Sequence, residues 1–143
     1  MVQGGFQHRL RVRYAETDQM GVVYHARYLD WFEVGRTEMI RQLGIDYRTL
    51  EEQGLLLPVV EVQARYKKPA RYDDELTIVT RLADYRGATM EFQYEIWREG
   101  ECLVTGASKH VWVTRDWRPT RVEKVNPQLH DLLMKVLQGQ SGP

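Results

Sequence analysis

The chain has 143 residues, 20 basic and 20 acidic side chains and a formal net charge of zero. That length fits one domain over residues 1–143, with enough chain to bury a substantial core. The charge balance argues against nucleic acid or an anionic membrane as the main partner, because both require a basic surface.

No apolar run approaches the roughly 20 residues of a membrane span, so none is expected. The start, Met1-Val2-Gln3-Gly4-Gly5, has no basic segment followed by an apolar one. A single cysteine, Cys102, forms no intrachain disulfide, and the expected setting is the cytoplasm.

Phe6, His8, Leu10, Val12 and Tyr14 alternate with Gln7, Arg9, Arg11 and Arg13, which predicts a half-buried strand with a basic outer face. A loop from Tyr14 to Tyr28 follows, carrying Asp18, Gly21, Tyr24 and His25. From about Ala26 to Leu43, the residues Tyr28, Phe32, Gly35, Met39 and Leu43 form one stripe, flanked by Leu29 and Ile40, as in a core-facing helix. Gly35 within the stripe costs about 1 kcal/mol of helix propensity relative to alanine, which implies a close approach of helix to sheet. Gly44 stops this helix, and Asp46 caps a short second one that runs to Gln53.

The second half changes period. Strands are predicted at about Leu55 to Tyr66, Glu75 to Tyr85, Ala88 to Arg98 and Cys102 to Thr114, and their short connections imply an antiparallel meander. Leu76, Ile78, Thr80 and Leu82 share one face, as do Met90, Phe92, Tyr94 and Ile96. Asn126-Pro127 starts a last helix with Leu129, Leu132, Leu133, Val136 and Leu137 as its apolar positions, and residues 139–143 form a frayed tail. The economical solution is an α+β two-layer domain with the long helix packed across a five-stranded antiparallel sheet. Trp97, Trp112 and Val104 point outward in this reading. That face is too apolar for a free monomer, so a homo-oligomer built by sheet pairing or stacking is predicted.

Serine chemistry is set aside, because Ser141 lies in the tail and Ser108 falls mid-strand without a nucleophile-elbow sequence. Cys102 reads as a small hydrophobe at a hairpin end. His8, His25, His110 and His130 have neither paired spacing nor cysteine neighbours, so no metal site is expected. No Gly-rich phosphate loop follows a strand.

Carboxylate chemistry remains. Asp18 precedes a helix whose first backbone N–H groups lack intrahelical partners and can stabilise an oxyanion. Spacing alone favours a turn or capping role for Asp18, and a capping or hydrogen-bonding role for His25.

The run Thr17-Asp18-Gln19-Met20-Gly21-Val22-Val23-Tyr24-His25-Ala26-Arg27-Tyr28 resembles the signature of the hot-dog-fold 4-hydroxybenzoyl-CoA thioesterase family. It is most similar to the short-chain acyl-CoA thioesterase branch found with bacterial Tol-Pal genes. Phe32-Glu33, Arg36-Thr37-Glu38, Pro58-Val59-Val60, Tyr72-Asp73-Asp74 and Leu76-Thr77-Ile78 extend the likeness, in order, over nearly the whole chain. Gln19 and Met20 depart from it, standing where that family commonly has smaller residues.

The resemblance implies a hot-dog fold, a long central helix wrapped by a five-stranded antiparallel sheet, and hydrolysis of an acyl-CoA thioester. Asp18 would act as nucleophile or general base, with Tyr24 and His25 beside it. Backbone N–H groups around Val23, Tyr24 and His25 would form the oxyanion hole. Glu33 is then supporting or structural, and Glu38 solvated. Substrate contacts fall on Gly21, Val22 and Tyr28, and on Val59, Val60 and Glu61 along the pantetheine arm. Lys67, Lys68 and Arg86 are candidates for the coenzyme A phosphates. No cofactor is implied, since coenzyme A is part of the substrate, and the expected assembly is a dimer or a tetramer of hot-dog dimers. Two rival readings are a non-catalytic acyl-CoA or acyl-carrier-protein binding module and a hot-dog enoyl-CoA hydratase. Hydratases carry an Asp-x4-His pair, whereas Asp18 and His25 are seven residues apart.

Overall fold

The computed structural model describes residues 5–139. The chain runs β1 (Phe6–Arg11), a 3-10 turn (Tyr14–Glu16), α1 (Arg27–Gln42), α2 (Tyr47–Glu52), β2 (Val59–Tyr66), β3 (Glu75–Tyr85), β4 (Thr89–Arg98), β5 (Glu101–Val111), α3 (Val122–Val125) and α4 (Pro127–Gly139). The expected fraying tail lies outside the described residues from position 140 onward. Among the described residues, no helix is long and apolar enough to cross a membrane.

One antiparallel sheet holds all five strands in the order β1-β3-β4-β5-β2. Strands β3, β4 and β5 form the predicted meander, but β2 departs from it. Both edges of β3 are taken, by β1 and by β4, so β2 pairs with β5 at the far end of the sheet. Residues 67–74 carry the chain back from that edge to β3.

The helix α1 covers the inner face, where the apolar rows of β3 and β4 are buried as the alternation predicts. Two glycines set how closely it packs. A β-carbon on Gly35 would lie 2.4 Å from Thr80 Oγ1 and 2.9 Å from Ile78 Cγ2, which is the close approach inferred from the sequence. On β5, Gly106 lies directly beneath the ring of Phe32, which stacks on Tyr94 with centroids 4.3 Å apart. The predicted cap is present, with Asp46 Oδ1 accepting the Thr49 N–H at 2.8 Å. Asn126 does the same for α4 by accepting the Leu129 N–H at 3.0 Å.

A polar chain crosses this core. Arg36 donates to the Tyr94 hydroxyl at 3.3 Å, that hydroxyl bonds Ser108, and Ser108 bonds His110 Nε2 at 2.7 Å. Burial, reinforced by the Arg36 charge, lowers the His110 pKa from 6.5 to about 4, so the imidazole is neutral.

Three sequence expectations are corrected. Tyr14 is not on the core face, because the strand ends at Arg11 and the chain turns, leaving Tyr14 exposed beside Tyr72. Trp112 and Val104 do not point outward; both are fully buried. A register shift between β4 and β5 next to Ile96 breaks the alternation at Val104, and Trp112 has already left the strand, its indole N–H reaching Met90 Sδ. Trp97 is half-buried, with its indole N–H donating to Glu95. The exposed apolar surface lies instead on the edge strand β2, at Val59, Val60, Val62 and Tyr66.

Candidate active site

The segment between β1 and α1 is built by backbone pairing. Thr17 and Val23 form an antiparallel bridge around a turn in which the Gly21 N–H donates to the Asp18 carbonyl at 3.0 Å. Gly21 takes φ +80°, a left-handed conformation that glycine adopts without strain. Asp18 Oδ1 accepts the Met20 N–H at 2.9 Å, the turn role that spacing alone favoured. The other carboxylate oxygen has no protein partner among the described residues.

The start of α1 is unusual in its cap. Ala26 stands at the N-cap, where it offers no side-chain acceptor. The Arg27, Tyr28 and Leu29 N–H groups are satisfied by the carbonyls of Tyr24, His25 and Ala26. This tight first turn leaves the His25 and Ala26 N–H groups without an acceptor among the described residues. The Val23 and Tyr24 N–H groups, also expected as oxyanion donors, are already taken. They donate to the carbonyls of Ala70 and Glu16, each at 2.9 Å.

A cavity of about 250 Å³ opens at this point, lined by Asp18, Met20, Val22, Val23, His25, Tyr28, Tyr66 and residues 67–69. Of the residues read from the sequence, it gathers Asp18, Val22, Val23, His25, Tyr28, Lys67 and Lys68. Gly21 shapes the loop without lining the cavity, and the Tyr24 ring is exposed against that of His25. Lys68 is paired with Glu101. Within one chain the remaining candidates are elsewhere. Val59, Val60 and Glu61 occupy the other end of β2, and Arg86 pairs with Asp84 at the β3–β4 hairpin. Glu33 lines a separate cavity with Arg36 and Tyr47, and Glu38 pairs with Arg41. A larger depression of about 320 Å³ on the outer sheet face, among Gln63, Arg65, Arg81 and Gln93, has no helix start facing it.

Tyr66 was missed by sequence reasoning. It ends β2, and its hydroxyl donates to the His25 carbonyl at 3.2 Å. Tyr28 forms the floor beside it, with its own hydroxyl accepting the Ala70 N–H at 3.1 Å and burial raising its pKa.

A central helix laid across a five-stranded antiparallel sheet, with a carboxylate loop at the helix start, defines a hot-dog fold of the thioesterase type. This chain belongs to the Thioesterase-like superfamily, which it matches over residues 12–133. It is 42% identical over 123 residues to YneP of Bacillus subtilis, covering 85% of this chain and 89% of that one. It is also 42% identical over 99 residues to the acyl-CoA thioesterase YbgC of Haemophilus influenzae, covering 68% and 73% of the two chains. Among solved structures, DHNA-CoA thioesterase from Staphylococcus aureus superposes with a TM-score of 0.91 at 34% identity, covering 94% and 91%.

Proposed function

We propose that this protein hydrolyses an acyl-CoA thioester to the free acid and coenzyme A. The observation that carries this reading is the Asp18 carboxylate lining one cavity with a helix start whose His25 and Ala26 N–H groups have no acceptor among the described residues. The relatives named acyl-CoA thioesterases support the reaction class. The thioester carbonyl lies against the helix start, where the free N–H groups and the helix dipole stabilise the developing oxyanion. Asp18 either takes a proton from water as its oxygen attacks the carbonyl carbon or attacks that carbon itself to give a mixed anhydride that water then opens. In both routes the C–S bond breaks, and the departing thiolate is protonated to coenzyme A.

Lys67 and Lys68 stand at the mouth of the cavity for the coenzyme A phosphates. The Tol-Pal likeness supports a short acyl chain. The exposed edge of β2 is where a second copy pairs, bringing the Val59–Glu61 end of one β2 toward the Tyr66 end of the other.

Coenzyme A release from a panel of acyl-CoA esters, measured with a thiol reagent, tests the reading. Asp18→Asn is expected to lower kcat roughly 10²- to 10⁴-fold. Equal rates in the two proteins would refute the assignment. A single turnover in isotopically labelled water then separates the routes, since label enters Asp18 only through the anhydride.

A further inference from the structure

Tyr66 has no role in the reaction as described so far, yet among the described residues it is the one side chain of the sheet with a hydrogen bond to the peptide at the start of α1. Its hydroxyl donates to the His25 carbonyl from the last position of β2, 41 residues away in sequence. Its ring lies against Tyr28 at 5.4 Å and edge-on to His25 at 6.3 Å, so the hydroxyl is held between two aromatic neighbours. Among the described residues, the only other donor to that carbonyl is the Tyr28 N–H, at a long 3.4 Å.

We propose that Tyr66 is a positioning residue for the oxyanion donors, acting through the His25–Ala26 peptide; this rests on the thioesterase reading above. The peptide is planar and trans, so the direction of the His25 carbonyl fixes that of the Ala26 N–H on the opposite side of the plane. With Ala26 at the N-cap no side chain does this from below, and the first-turn bond at 3.4 Å holds it loosely. The Tyr66 hydroxyl therefore sets the tilt of the first turn and keeps the free Ala26 N–H aimed out of the helix end, beside the free His25 N–H. It acts electronically as well. A hydrogen bond accepted at a peptide carbonyl polarises that peptide and makes its N–H a stronger donor. The effect grows as negative charge develops on the thioester oxygen, so it appears in the transition state and hardly at all in ground-state binding.

Tyr66→Phe keeps the ring packing and removes only the hydroxyl. We expect kcat to fall about five- to tenfold with KM changed less than about twofold, a loss on the scale of one hydrogen bond. The pH profile should keep its shape, because the acting carboxylate is untouched. Incorporation of 3-fluorotyrosine at position 66 is the complementary probe, since its more acidic hydroxyl is a stronger donor. Its kcat should equal or exceed that of the native protein near neutral pH, which a purely structural role does not require. An unchanged kcat in Tyr66→Phe, a rise in KM alone, or a loss of kcat in the fluorotyrosine protein equal to that in Tyr66→Phe overturns the proposal. Asp18→Asn is run alongside. If the native protein releases no coenzyme A from any ester of the panel, the thioesterase reading and this proposal both fail; if the native protein is active, Asp18→Asn is inactive and Tyr66→Phe keeps its kcat, only this proposal fails.

Discussion

Gly106→Ala concentrates the packing of this fold into one methyl group. The added β-carbon would stand 2.5 Å from two ring atoms of Phe32 and 2.8 Å from the Gln63 carbonyl of the edge strand. Phe32 is fully buried and already stacked on Tyr94, which is the register partner of Gly106, so the ring can only lift away from the sheet. Overpacking of this kind costs about 1–3 kcal/mol, and backbone contact on one side places this case near the upper end. Alanine in a strand regains about 0.5–1 kcal/mol of the entropy that glycine loses. The net loss is about 2 kcal/mol. With an unfolding entropy of about 2.1 cal/mol/K per residue over 143 residues, that corresponds to a Tm lower by roughly 7 °C. Thermal and urea unfolding followed by circular dichroism measure it, with Phe32→Leu made in both backgrounds. The smaller side chain should recover about 1 kcal/mol or more of the loss. A Tm within about 1 °C of the parent, or strictly additive losses in the double variant, would refute the placement of Phe32 over Gly106.

Two further outcomes follow from the buried histidine and the open edge. His110 has its pKa lowered from 6.5 to about 4 in the folded protein, so between those values the unfolded chain binds the extra proton. Stability therefore falls as pH drops from 6.5 toward 4, and His110→Gln, which keeps an acceptor for Ser108 without the titration, should show a shallower fall by urea unfolding; equal slopes would remove His110 as the cause. On β2, Val60→Lys places a charge on the most exposed of the three valines at that edge, at 65% exposure, and is expected to disrupt the proposed pairing of two copies, lowering the sedimentation coefficient relative to the parent protein; an unchanged sedimentation coefficient would refute pairing through this edge.

Much of the fold is legible because its elements write their own periods. The alternation in β3 and β4 and the stripe of α1 identify the buried faces, and Gly35 betrays the close helix–sheet contact. Pairing between distant segments has no such local signature. Nothing in Val59–Tyr66 says that β5, not β3, is its neighbour. The same limit applies in the site. Asp18 and the helix start could be found from one loop, whereas the engagement of the Val23 N–H depends on the distant carbonyl of Ala70. Tyr66 escaped for a related reason. A tyrosine ending a strand is ordinary until the sheet order brings that end beneath the first turn of α1.

The core hydrogen-bond chain has a consequence of its own. A guanidinium can only give hydrogen bonds, so Tyr94 accepts from Arg36 and keeps its own proton to give to Ser108, which can in turn give its own to His110 Nε2. In that direction the imidazole proton sits on Nδ1, toward the Leu57 and Pro58 carbonyls just ahead of the edge strand, although no hydrogen bond of normal geometry forms there among the described residues. One cation at the helix end of the chain thus favours one polarity in the three side chains beyond it. A glutamine at position 36 could give or accept, and the same row of atoms would then have two orientations of nearly equal energy. Arg36 biases the row toward one direction, and it does so from the helix whose start carries the free N–H groups.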